Sequence, residues 1–177
     1  MSAQLEPLPP PDTTLPVWLD RYQPGGTPAT CTELWDLLTR EYPTDAHFAA
    51  YDAPQRLTTT DPLPRMRVLV LDVDAPDKRR TLAWDLTLRA RARRLPHDPL
   101  GYWTRNGARL IWRCDISAEH WLRTYVDALV CVHALTGIVA DPACRDWTRL
   151  YRVPHGTRDG ELQRLRSEEH TSELQSQ

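Results

Sequence analysis

Residues 68–74 read VLVLDVD, from Val68 to Asp74. The run is apolar, rich in β-branched residues, and ends in two aspartates one residue apart, which predicts a buried β-strand. Side chains alternate faces along a strand, so Asp72 and Asp74 point the same way with Cα atoms about 6.5–7 Å apart. Leu71 and Val73 face the opposite layer. Two parallel carboxylates at the end of a buried strand suit a hard divalent cation such as Mg²⁺. They equally describe two acids where a strand leaves the core, so the remaining residues must decide between the two.

The chain has 177 residues, 41% hydrophobic and 26% charged, enough for one domain with a real core. Its 16 prolines are concentrated early. No apolar stretch approaches the length of a membrane span. The N-terminus lacks a basic segment followed by an apolar core, so no secretory signal is expected and the cytoplasm is the expected location. The four cysteines, Cys31, Cys114, Cys131 and Cys144, form no Cys-x-x-Cys pair. Cys131 with His133 or Cys144 fits no standard zinc spacing, and reduced thiols are expected.

Residues 1–29 are proline-rich and lack apolar periodicity, which predicts an extended or disordered lead-in. Thr30 or Thr32 can cap a helix reaching about Arg40, and 46–51 (AHFAAY) predicts a short strand. After the central strand, Asp77 can cap a basic helix over 78–95, whose arginines form either a solvated face or a phosphate track. Asn106-Gly107 between strand-like segments predicts a hairpin. Ser117 and Gly137 bound a further helix with Trp121, Leu122, Tyr125, Leu129 and Val132 on its apolar stripe. Residues 138–141 (IVAD) are a second apolar approach to an aspartate, Asp141. The elements mix without regular alternation, which predicts an α+β fold. Residues 166–177 resemble the in-frame translation of a sequencing-library adapter and are read as a non-native tail, so the natural chain is expected to continue past Leu165. Removing Ser167–Gln177 deletes three glutamates and takes the formal charge from −2 to +1.

Three features succeed one another: a strand ending in Asp72-x-Asp74, a hairpin with glycine and basic residues, and Asp141 leading into Asp146–Pro154 (DWTRLYRVP). In this order they resemble the archaeo-eukaryotic primase superfamily, within it the primase–polymerase domains of phages and plasmids. Leu71-Asp72-Val73-Asp74 is similar to the family's first motif and Val139-Ala140-Asp141 to its third. The segment with Arg149, Arg152 and Pro154 is similar to the arginine- and proline-bearing stretch after the third motif in the mobile-element branch. The second motif departs: where the family carries Ser-x-His on a hairpin, this chain has Thr104-Arg105-Asn106-Gly107-Ala108-Arg109.

The resemblance implies a primase–polymerase fold over 30–165, with a central, mostly antiparallel, RRM-like sheet flanked by helices. It implies a template-dependent DNA primase or polymerase of phage or plasmid replication. Asp72, Asp74 and Asp141 would bind Mg²⁺ or Mn²⁺, and two such metals lie about 3.5–4 Å apart in in-line phosphoryl transfer. Thr104, Arg105, Asn106, Gly107, Arg109, Arg149 and Arg152 would bind nucleotide or template phosphate, with Asn106 and Gly107 letting the hairpin backbone approach closely. Expected partners are single-stranded DNA, an NTP or dNTP, and a fused or separate helicase, with no membrane. Arg109 either takes over the phosphate contact of the missing histidine, or the domain only binds, as a replication-initiator or single-strand-binding module. A metal-dependent nuclease is a third class, but it needs an upstream glutamate at a strand end, and Glu33 and Glu41 sit on or beside a predicted helix.

Overall fold

The computed structural model describes residues 17–18, 34–42, 45–53, 56–97, 99–155, 157–158 and 161–162. The Thr30 and Thr32 caps, most of the lead-in and the tail lie outside these residues. Within the lead-in, β1 (Val17–Trp18) pairs with β2 (His47–Ala49). Every strand pairing described is antiparallel, and with the helices this makes an α+β fold.

The central strand is β4 (Arg65–Asp74), which forms where the apolar run predicts it. Met66, Val68 and Val70 are buried on one face, and Leu71 and Val73 on the other. A strand with both faces covered needs apolar residues at successive positions, hence VLVL. The main sheet has the order β3–β4–β6–β5, with β3 (Tyr51–Asp52), β5 (Leu100–Trp103) and β6 (Gly107–Ser117). Asn106-Gly107 closes the β5–β6 hairpin as expected, and Trp103 pairs with Ala108.

The expected strand 46–51 is two strands in two sheets. β2 pairs with β1 and with β7 (Leu150–Arg152), whereas β3 pairs with β4. Between them Ala50 turns the chain, and its carbonyl accepts from both Arg67 N (2.7 Å) and Val68 N (3.2 Å), where the β4–β6 register shifts. A bulge of this kind lets one carbonyl serve two amides and bends the strand.

Three helices complete the described core: α1 (Leu34–Thr39), α2 (Leu82–Ala92) and α3 (Ala118–Thr136). The basic helix begins four residues later than the sequence predicts. Thr81, not Asp77, is the N-cap, accepting from Trp84 N at 3.2 Å, because Pro76–Lys78 forms a separate 3₁₀ turn. α2 packs on the sheet through Leu88 and through a tilted contact between Trp84 and Trp103, whose ring centroids are 6.1 Å apart. α3 starts after Ser117 and stops at Gly137 (φ 71°), a left-handed C-terminal residue that glycine adopts without steric cost. Trp121, Tyr125 and Val132 are buried as expected, but Leu122 is exposed because its position lies off the packed stripe. Cys114, Cys131 and Cys144 are free thiols, and burial pushes Cys114 up to about 12. Among the described residues no helix is long and apolar enough to cross a membrane.

Candidate functional site

Asp72 and Asp74 lie at the C-terminal end of β4, opposite Arg109 and Gly107 of β6. Opposed residues of an antiparallel pair share a face, and Arg109 reaches Asp72 Oδ2 at 3.5 Å. Both side chains are mostly buried, 16% exposed for Asp72 and 13% for Arg109. Asp74 is more open and pairs with Lys78, four residues on.

Asp141 comes to the same place by a different route. Past Met66 the β3 edge of β4 carries no strand among the described residues, since β3 pairs only with Arg65 and Met66. The irregular segment 137–141 runs there instead, and Asp141 N donates to Asp72 O at 2.7 Å. Ile138 and Ala140 are buried and Val139 is exposed, which seats the segment. Tyr125 OH of α3 donates to Asp141 O at 3.2 Å, and Trp121 Nε1 donates to Arg145 O at 3.0 Å, so α3 holds the next turn as well. The Asp141 carboxylate accepts from Ala143 N at 2.8 Å and caps that 3₁₀ turn, Pro142–Arg145.

Lys78 registers the convergence of the three acids. The hydrogen bond to Asp74 holds its ammonium above the ordinary lysine value, and the charges of Asp74, Asp141 and Asp72 act in the same direction. A second sensor is Cys144, which is buried behind the cluster. Burial raises its thiol first, and Asp72 and Asp141 add to this while Arg149 and Arg109 oppose it. Asp72, Asp141, Arg109 and Arg149 thus share one region. As the side chains stand, however, no three His, Cys, Asp or Glu groups among the described residues gather closely enough to hold a metal ion. Each carboxylate instead has a protein partner: Arg109 for Asp72, Lys78 for Asp74 and Ala143 N for Asp141.

The expected phosphate ligands divide into two groups. Arg109 and Arg152 are committed inside the protein. Arg109 NH1 donates to Tyr102 OH (2.8 Å) and to Arg152 O (2.9 Å). Its guanidinium lies between the rings of Tyr102 and Tyr151, 5.6 and 5.5 Å from their centroids. Burial disfavours its charge, but Tyr102 and Asp72 outweigh that and raise its pKa above the arginine norm. Its Nε is buried with no hydrogen-bond partner among the described residues. Arg152 makes a bidentate pair with Asp45, at 2.6 and 2.9 Å. Arg152 is thereby spent on Asp45, whereas Arg149 lies just before β7 and within charge range of Cys144.

The hairpin residues fall in the second group. Arg105 and Asn106 are exposed at the tip, beside Asp74. Thr104 O accepts from Arg80 NH1 at 3.2 Å, and Asn106 O accepts from Ala75 N at 2.8 Å, which ties the hairpin to the end of β4. Gly107 permits the close approach of the hairpin to β4, since a Cβ there would lie 2.0 Å from Val73 O. Trp147 and Tyr151 pack in the core, against Tyr51 and Phe48.

Four participants do not stand out in the sequence: Lys78, Tyr102, Asp45 and Arg80. Lys78 alone leaves a signal there, since it lies four residues past Asp74 and is the one lysine in the chain. No family model matches the chain, and neither does any curated protein or solved structure.

Proposed function

We propose that the protein is a template-dependent nucleotidyltransferase, a DNA primase or polymerase of phage or plasmid replication with the primase–polymerase fold. One observation carries this reading: the Asp141 N–H bonded to the Asp72 carbonyl, which brings the third acid of the motif set to the strand that bears the first two. The antiparallel central sheet is consistent with the RRM-like sheet the resemblance implies.

Asp72, Asp74 and Asp141 are hard oxygen donors and suit Mg²⁺ or Mn²⁺. Bound there, the ion supplies charge neutralisation for a triphosphate and activation of an attacking hydroxyl. The chain's own residues prepare the site. Arg109 orients Asp72 from within the sheet and acts through it rather than on the triphosphate. Arg105 at the hairpin tip and Arg79 beside Lys78 are exposed and offer guanidiniums to nucleotide or template phosphate. The exposed arginines of and just past α2, Arg93 and Arg94 among them, extend that positive surface toward a single-stranded template. A helicase, fused or separate, is a partner in the same reading.

A second reading is a non-catalytic single-strand-binding module of replication initiation. The Arg109–Asp72 and Lys78–Asp74 pairs favour it, because they neutralise two of the three acids without a metal. Nucleotide incorporation on primed and unprimed single-stranded DNA, with Mg²⁺ or Mn²⁺, separates the two. The enzyme reading expects incorporation by the wild type and a loss of about 100-fold or more in Asp72→Asn, Asp74→Asn and Asp141→Asn. DNA binding without incorporation by the folded wild type selects the module, and metal-dependent cleavage of the DNA selects a nuclease.

A further inference from the structure

Helix α3 carries more apolar surface than its own packing uses. At about 100° per residue, Trp121, Tyr125, Leu129, Leu122, Val126 and Val130 succeed one another over about 180° of its circumference. Packing on one layer takes roughly 100°. Only the first part of the sector is spent inside the protein. Trp121 and Tyr125 are buried and Leu129 is partly buried, whereas Leu122, Val126 and Val130 are 57%, 43% and 63% exposed. Single exposed apolar residues are ordinary on a protein surface, but a continuous line of them at i, i+4 and i+8 marks a contact face. No described element covers this line, and the exposed Arg123–Asp127 pair bounds it on the side away from the core.

The stripe is symmetric about Val126. Leu122 and Val130 lie four residues to either side. Glu119 and His133, both exposed, lie seven to either side on the same face. A helix laid on this stripe in the opposite direction, with Val126 meeting Val126, sets Leu122 beside the partner's Val130 and Glu119 beside the partner's His133. An imidazole N–H donates to a carboxylate whether the ring is neutral or charged. The parallel arrangement instead opposes the two Glu119 carboxylates to each other, which is unfavourable. An unrelated partner requires no symmetry of this kind, whereas a second copy of the same helix does.

We propose that α3 is a self-association surface, pairing antiparallel with α3 of a second copy about a twofold axis at Val126. One patch then serves both subunits. The helix spans about 28 Å, and a single helix pair of that length makes a small interface, so a reversible dimer in the micromolar range is expected. Tyr125, which holds Asp141, lies on the buried face of α3, so the pairing and the nucleotidyltransferase reading stand independently of one another.

Sedimentation velocity of the full chain at about 100 μM tests this, and the wild type is expected to be dimeric there. Val126→Glu opposes two carboxylates at the axis and is expected to weaken the dimer about 100-fold. His133→Glu sets each Glu119 against a carboxylate of the other copy and is expected to weaken it about tenfold. Adding Glu119→Lys to His133→Glu is expected to restore wild-type association. Within one chain the two positions are about 21 Å apart, so restoration reads pairing between copies. Circular dichroism checks that each variant is folded, and the two exposed end positions keep the test open should Val126→Glu fold poorly. A dimer that either Val126→Glu or His133→Glu leaves unweakened, or that the double swap fails to restore, overturns the antiparallel α3 contact. A monomeric wild type overturns it as well, and a loss of thermal stability in Val126→Glu then assigns the stripe to a segment outside the described residues.

Discussion

Asp141 N–H donates to the carbonyl of Asp72 across 2.7 Å, joining two distant stretches of the chain at the edge of the central strand. The contact is between backbones, so it sets where the Asp141 side chain starts whatever its protonation or partner. Lys78, Arg109 and Cys144 each sense one or more of the same acids, which makes the end of β4 the electrostatically coupled region around the motif residues.

Gly107 is the tightest packing constraint at that end. A Cβ would stand 2.0 Å from Val73 O and 2.9 Å from Asp74 Cα, both backbone atoms of β4 that cannot swing aside. Gly107→Ala is expected to destabilise the protein by about 3 kcal/mol, read from urea unfolding. A loss below about 0.5 kcal/mol would show that the β4–β6 spacing relaxes freely.

Arg109 links two of the sheets, reaching Asp72 in β4, Tyr102 in β5 and the carbonyl of Arg152 in β7. Arg109→Met strands a largely buried Asp72 and is expected to cost about 3 kcal/mol. Tyr102→Phe loses the bond to Arg152 O and the acceptor for Arg109, and is expected to cost about 1 kcal/mol. The double variant should cost less than the sum, because the two side chains share one network. Strict additivity in a denaturation cycle would contradict that coupling.

At the far end of β4, Arg65 and Arg67 both donate to Asp115 Oδ1, at 2.5 and 3.0 Å. The Arg65 hydrogen bond, with the charges of Arg67 and Arg65, holds the Asp115 carboxyl below its ordinary value. A lowered folded pKa means that the unfolded chain binds the proton more readily. The stabilisation is therefore complete above the unfolded value, about pH 3.9, and fades as pH falls through the folded value. The side chains are partly exposed, so the effect stays under about 1 kcal/mol. Asp115→Asn is expected to be less stable than wild type at about pH 6, with the gap narrowing toward about pH 2.5. A gap that widens on acidification would reverse the sign of the argument.

Local rules account for much of the architecture. A continuous apolar run marks β4, Asn106-Gly107 marks the hairpin, and Ser117 and Gly137 bound α3, because each depends on residues within a few positions of one another. Where two local signals compete, contacts beyond the segment choose between them. Asp77 is a good helix cap by residue type, yet the 3₁₀ turn at Pro76–Lys78 moves the helix start to Thr81. Residues 46–51 look like one strand, yet Ala50 divides them between two sheets, and its carbonyl accepts from two successive amides of β4 where the β4–β6 register shifts.

Side-chain partners at the site are beyond the reach of the linear pattern. Asp72 and Asp74 share a face by the period of a strand alone, and that much is set in the sequence. Whether Arg109 faces a phosphate or Asp72 depends on the β4–β6 register. Whether Arg152 is available depends on Asp45, 107 residues earlier. Such pairings are made by strand register and packing between distant segments, so the folded chain alone decides which charges are spent internally and which, like Lys78 and Arg105, remain at the surface.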